Sequence, residues 1–227
     1  YKMEAEFNDK PTSEYKPIVL NTKKGDFKII GKVDRIDKHQ NNVRIVDYKT
    51  GEIKSEDEYF YTGNKLQLYL YMNAFLKEGE NSAGVYYSPI HDGYDKTSER
   101  NYLMRGKTVS TDEIIKATDN TLQPQGKSEY VSVSLKKDGN VTATSQCLTQ
   151  EEMDKYLKYA IKIAKKGVEE IASGFIEATP YKGGCTYCNY NGMCGYNEAQ
   201  CDKTRQEKDV EPKTIVDAVD KEDITND

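Results

Sequence analysis

Tryptophan is absent from the 227 residues, and histidine occurs only twice. No run of about 18 apolar residues exists, so no membrane-spanning helix is predicted. The opening YKMEAEFNDK has neither an initiator methionine nor the apolar core of a signal peptide, so the chain reads as an excised segment. Excess positive charge is missing too. The formal net charge is −5, which argues against a broadly basic nucleic-acid binder. That charge is uneven. Residues 202–227 hold nine acids against five bases, which leaves residues 1–201 near neutral and leaves room for a local basic groove. The same tail is poor in large apolar residues and contains Pro212, so it is predicted to wrap loosely.

What is present is 18 tyrosines and five cysteines, four of them between residues 185 and 201. Such clustering in a chain of this length suggests metal or cofactor ligation more than a disulfide scaffold, and a reducing cytosol. The length suits one large domain, or one domain with an appendage, around a real core.

Residues 15–20 and 26–36 read as strands, and DKHQNN (37–42) joins the latter to a strand at 43–49, so 26–49 is predicted to be a β-hairpin. NKLQLYLYMNAFLKEG (64–79) is predicted to be a helix capped by Asn64, with Gln67 three residues on and Gly79 as its stop. Strands are expected at 82–90 and 102–105. Ser110 and Glu113 suggest a capping box, and 129–147 a second hairpin around KKDGN. Residues 150–173 carry the clearest helical period. Thr149 and Glu152 form a capping box there, and Met153, Tyr156, Leu157, Ala160, Ile161, Ala164, Val168, Ile171 and Ala172 lie on one face. Strands and helices mix without strict alternation and without an internal repeat. An α/β domain with a mixed sheet, flanking helices and a cysteine-bearing C-terminal appendage follows.

The apolar run VRIVDYKTG (43–51) ends in Asp47 and Lys49, which share a strand face. Burying either without compensation costs several kcal/mol, so the strand surfaces there or the pair is held for chemistry. Asp34, in GKVDRID on the preceding strand, adds a second carboxylate. Two such acids suit Mg²⁺ or Mn²⁺, and a lysine beside them can stabilise a developing oxyanion. Phosphodiester hydrolysis needs these parts. Taken alone, Asp-x-Lys at a strand end is commonly a solvated ion pair worth little.

GKVDRID, VRIVDYKTG and KLQLYLYMNAF, in this order, resemble the PD-(D/E)XK nuclease superfamily in its RecB-like branch. The pattern there is G-x-x-D-R-x-D, then D-Y-K-[ST]-G, then Q-x-x-x-Y on the next helix. The resemblance covers about residues 30–75. It implies a restriction-endonuclease-like mixed sheet, metal ligation by Asp34, Asp47 and the Tyr48 carbonyl, catalysis by Lys49, and a site lined by Gln67 and Tyr71. The branch usually adds an upstream His or Glu. Glu4 and Glu6, on an expected early strand, substitute poorly, and His39 and His91 read as solvated turn residues.

The cysteines run C-x2-C-x5-C-x6-C, a spacing compatible with zinc or an iron–sulfur cluster and set against inert loop thiols. Cys185, Cys188 and Cys194 resemble three ligands of the structural 4Fe–4S cluster in AddB-type components of bacterial helicase–nucleases. The fourth ligand comes there from upstream of the nuclease motifs. No cysteine precedes Cys147 in this sequence, and Cys201 is the nearby substitute. The resemblance implies a nuclease core at 1–181, a cysteine loop at 182–201 and an acidic tail at 202–227. It also implies a bacterial cytoplasmic, Mg²⁺-dependent DNA exonuclease acting on single-stranded ends with an AddA-like helicase partner in double-strand-break repair. A stand-alone exonuclease of phage or CRISPR type and a non-catalytic DNA-binding module are the rivals.

Overall fold

The computed structural model describes residues 1–51, 53, 57–90, 102–180, 184–197 and 210–220. Its centre is a six-stranded sheet. The strands are β1 (Lys2–Phe7), β4 (Gly31–His39), β5 (Asn42–Lys49), β6 (Asn81–Pro89), β7 (Arg105–Val109) and β8 (Cys147–Leu148), in that spatial order. β5 pairs parallel with β6 and β7 parallel with β8, while the remaining pairs are antiparallel. β2 (Ile18–Thr22) and β3 (Gly25–Ile29) form a separate two-stranded sheet. The helices are α1 (Asp57–Tyr61), α2 (Gln67–Phe75), α3 (Asp112–Thr118), α4 (Gln150–Ala172) and α5 (Pro212–Asp220). This is an α/β, restriction-endonuclease-like mixed sheet flanked by helices.

Alternation along β5 separates two cores. Val43 and Ile45 face α2 and α4, in the cluster that holds Leu68, Met72, Phe75, Met153 and Tyr156. Val46 points to the other face and packs with Tyr86, Val131 and Val133. β6 is buried on both faces from Ser82 to Tyr87, as a strand inside a covered parallel pair should be.

Several sequence expectations are corrected. The strand expected at 26–36 breaks at exposed Ile30, so β3 pairs with β2 and the hairpin is β4–β5, turning at Gln40–Asn41 with Gln40 at φ +52°. Apolar period continues through the bend, so the sequence does not mark it. α2 starts at Gln67 behind Leu66, with no side-chain cap, so neither Asn64 nor a capping box begins it. Thr111, not Ser110, caps α3 by accepting from the Ile114 amide. Met104 bridges Val131, and the regular strand expected at 102–105 runs instead from Arg105. The hairpin expected at 129–147 does turn at KKDGN, where the Lys136 amide donates to the Asn140 carbonyl at 2.7 Å, Leu135 bridges Val141 antiparallel and the Thr142 amide donates to the Ser134 carbonyl at 2.9 Å, but its arms form isolated bridges and not regular strands.

α4 does carry the Thr149–Glu152 capping box. Its burial is confined to the N-terminal half, where Tyr159 joins the core, whereas Ile171 is exposed. Part of the tail that reads as loose forms α5. Ile215 is fully buried there, and the Lys162 ammonium on α4 donates to the Ala218 carbonyl at 3.2 Å. Among the described residues no helix is long and apolar enough to cross a membrane.

Candidate active site

β5 and β6 run parallel, so their C-terminal ends emerge at one end of the sheet, where Asp47 lies opposite Tyr87 and Lys49 opposite Pro89. Antiparallel pairing between β4 and β5 reaches Arg35 opposite Val46. Beyond it the Asp34 carboxylate accepts the Tyr48 amide at 2.8 Å, in the place of a backbone ladder bond. β4 departs from alternation at this point: Val33 and Ile36, three residues apart, are both fully buried. Asp34 itself keeps the register: two residues before Ile36, which lies opposite Ile45, it falls on the face of Asp47 and its charge acts on that carboxylate.

Asp47 is buried, and its Oδ2 lies 2.5 Å from the Lys49 ammonium. Oδ2 nevertheless accepts no well-aligned hydrogen bond. Burial raises the Asp47 pKa above the ordinary 3.8, the neighbouring Asp34 charge raises it further, and Lys49 opposes both. The Lys49 side chain is about a third exposed, so its head sits at the mouth of the site with the carboxylate beneath. The ammonium also donates to Gln67 Oε1 at 3.1 Å, and Gln67 Nε2 donates to the Tyr71 hydroxyl at 2.9 Å. Gln67 and Tyr71 are one helical turn apart, on the first turns of α2. The uncapped start of α2 leaves the Gln67 amide group to bridge Lys49 and Tyr71. Tyr71 in turn meets the Phe7 ring edge-on, with centroids 5.8 Å apart.

The structure therefore brings Asp34, Asp47, Lys49, Gln67 and Tyr71 together. The Tyr48 ring points to the opposite face, toward Arg35, whose Nη1 is 3.5 Å from its hydroxyl. Among the described residues no group of three or more His, Cys, Asp and Glu side chains converges as a metal ligand set. The Asp34–Asp47 pair still fits a hard divalent cation. Both partners are carboxylates, one has a buried oxygen short of donors, and their mutual repulsion is relieved by added positive charge. Backbone carbonyl, water or substrate oxygens would complete such a shell.

Other expected positions stand apart. Glu4 pairs with Lys32 and Glu6 with Lys10, on exposed β1 positions or just beside them. His39 ends β4 beside the hairpin turn, and His91 lies outside the described residues. Cys188 and Cys194 are exposed in a run of turns, in which the Cys188 amide donates to the Cys185 carbonyl at 3.3 Å. The three thiols are not gathered into a ligand set, and Cys201 lies outside the described residues. Cys147 sits on β8 beside Thr108, and burial pushes its thiol up to about 11.

Tyr87 carries no motif that marks it in the sequence. It is buried, its ring centroid lies 5.2 Å from the Lys49 ammonium, and burial, then Asp47 and Tyr71, raise its pKa. The only sequence signal is a strand following a strand–helix pair, which favours parallel pairing. The register that sets Tyr87 against Asp47 is a product of the fold.

Residues 2–195 match the PD-(D/E)XK nuclease superfamily. The chain is 28% identical over 235 residues to the B component of the ATP-dependent helicase/deoxyribonuclease of Bacillus subtilis, a match covering 91% of this chain and 20% of that protein. It is 30% identical over 215 residues to the component of the same name from Clostridium kluyveri, covering 81% of this chain and 18% of that protein. The chain thus spans about a fifth of the length of these curated relatives.

Proposed function

The chain belongs to the PD-(D/E)XK nuclease superfamily, and from that premise we propose that it hydrolyses DNA phosphodiester bonds in a metal-dependent reaction at Asp34, Asp47 and Lys49. The observation that carries this reading is the meeting of two carboxylates and one ammonium at the ends of paired strands, with the buried acid held above its ordinary pKa. A divalent cation, Mg²⁺ or Mn²⁺, would be held by the Asp34 and Asp47 carboxylates with the Tyr48 carbonyl, and supplies Lewis acidity toward phosphate and the attacking water.

The chain's own groups do the rest. Asp34 is oriented by the Tyr48 amide, which occupies one oxygen and leaves the other for ligation. The Lys49 ammonium has three donors. One donates to Gln67, the charge pairs with Asp47 at 2.5 Å, and the partly exposed head is placed to stabilise a negative phosphate oxygen at the mouth. Gln67 and Tyr71 fix the side of the lysine that faces away from Asp47.

The relatives are named as parts of an ATP-dependent helicase/deoxyribonuclease. On that likeness the reading extends to exonucleolytic removal of single-stranded ends delivered by an AddA-like helicase partner, in bacterial double-strand-break processing. Residues 1–181 are the nuclease core in this reading, with 182–201 an appended cysteine loop. No reaction step is assigned to that loop or to a 4Fe–4S cluster in it.

The test is Asp47→Ala. Mg²⁺-dependent cleavage of a single-stranded oligonucleotide should fall at least about a hundredfold. The metal-free melting temperature should change little, because removing one of two adjacent carboxylates also removes their repulsion. Mg²⁺ should raise the melting temperature of the unsubstituted chain but not of the variant. Full activity in a clean Asp47→Ala preparation would overturn the assignment.

A further inference from the structure

We propose that Tyr87 is a positioning residue for Lys49, its buried ring forming an aromatic floor on which the ammonium rests between Asp47 and Gln67. The inference rests on the nuclease reading for its consequence, but not for its geometry. Parallel register sets Tyr87 directly opposite Asp47 on β6, so its side chain rises on the face that carries Asp47 and Lys49. The residue is 4% exposed, which holds the ring in place. The Lys49 ammonium lies 5.2 Å from the ring centroid, inside the range at which a cation is drawn to a ring face.

A lysine head needs such a floor. Its four-carbon stem is flexible, and fixing it costs the rotamer freedom of several bonds. Asp47 at 2.5 Å pulls the ammonium down toward the carboxylates, and Gln67 at 3.1 Å pulls it toward α2. Neither contact stops the head from sinking onto Asp47 alone. The ring does so sterically, while its electron-rich face keeps the position favourable for a cation. Because the interaction uses the face and not the hydroxyl, it requires no hydrogen bond from the ammonium to Tyr87. The partner is thus a ring, and the residue type required is aromatic rather than phenolic.

This requirement separates the proposal from a general packing role. In Tyr87→Leu, kcat for oligonucleotide cleavage in Mg²⁺ should fall about tenfold while KM stays within about twofold, because the floor acts through a group that stabilises charge in the transition state. Tyr87→Phe should recover most of the loss. A loss in Tyr87→Phe as deep as in Tyr87→Leu, or a KM effect without a kcat effect, would overturn the proposal.

A second measurement is independent of activity. A ring beneath the ammonium shifts the Lys49 Cε protons upfield in the nuclear magnetic resonance spectrum, and the resonance is assigned by its loss in Lys49→Arg. The shift should be present in the unsubstituted chain and in Tyr87→Phe. Its absence from both overturns the proposal even if Tyr87→Leu fails to fold. A chain with the upfield shift and no nuclease activity supports the floor and sinks the nuclease reading, so the two failures are told apart.

Discussion

Asp37 and Asp47 are the same residue type on adjacent strands, both withdrawn from water, yet their pKa values move in opposite directions. Burial pushes each upward. At Asp37 two guanidinium groups outweigh it: Arg35 Nε donates to Oδ1 at 2.8 Å and Arg44 Nε to Oδ2 at 2.7 Å, and the carboxyl ends below its ordinary 3.8. At Asp47 one ammonium faces burial and a second acid together, and burial wins. The consequence for Asp37 has a definite sign. A carboxyl lowered in the fold contributes stability above its unfolded pKa, and that contribution is lost as pH falls through 3.8 and below. Asp37→Asn should therefore cost about 1–3 kcal/mol at neutral pH. Melting curves of the two proteins should converge as the pH is lowered below about 4, and a gap independent of pH would refute the pairing as its cause.

Elements are placed by a few contacts that tolerate little change. A Cβ on Gly31 would lie 2.8 Å from the Phe7 ring and 3.4 Å from Tyr71. Phe7 has no exposed surface and packs edge-on against both Tyr71 and Phe75, so it has nowhere to retreat. Gly31→Ala should destabilise the chain by about 1–3 kcal/mol and lower activity by displacing Tyr71. Unchanged melting would show that β1 shifts freely against β4. The short helix α1 is held differently. Phe60 stacks on Tyr156 at 5.1 Å between centroids, and Tyr159 donates to the Tyr61 carbonyl at 2.7 Å. Asp57, at the start of α1, takes the Lys107 ammonium at 2.8 Å and the Tyr156 hydroxyl at 3.0 Å, while Lys107 also donates to Gln146 at 2.8 Å. Lys107→Met leaves Asp57 buried without its cation and should cost about 3–5 kcal/mol. Lys107→Met combined with Asp57→Leu should recover much of that loss on thermal melting. A double variant no better than the single would show that the hydrogen bonds, and not the unpaired charge, dominate.

The molecule as a whole has a nearly neutral body and an acidic end. Its electrostatic grip on a polyanion is therefore local rather than general, with substrate delivered to the site in the proposed role. Binding of single-stranded DNA by the chain, measured by fluorescence anisotropy without metal, should be weak and should fall steeply with added salt. Nanomolar affinity at physiological salt would contradict this and favour the stand-alone rival.

Local chemistry makes much of this legible in the sequence. Alternating β-branched residues mark β5, a 3.6-residue period and a capping box mark α4, and the order of three short motifs marks Asp34, Asp47, Lys49, Gln67 and Tyr71. Each signal lies within a few residues, where side-chain spacing dictates which groups share a face. Tertiary structure decided what depends on distant partners. The break at Ile30 is invisible in the apolar period, because a strand reads the same whichever sheet it joins. α2 begins at Gln67 and not at Asn64, which frees Gln67 for Lys49. α5 forms although the tail around it is mostly polar, because Ile215, with Val216, Ala218 and Val219 beside it, finds a core that the tail does not contain. Tyr87 meets Lys49 only through the parallel register of β5 and β6, and a register between strands separated by a helix is set by packing, not by neighbours in the chain.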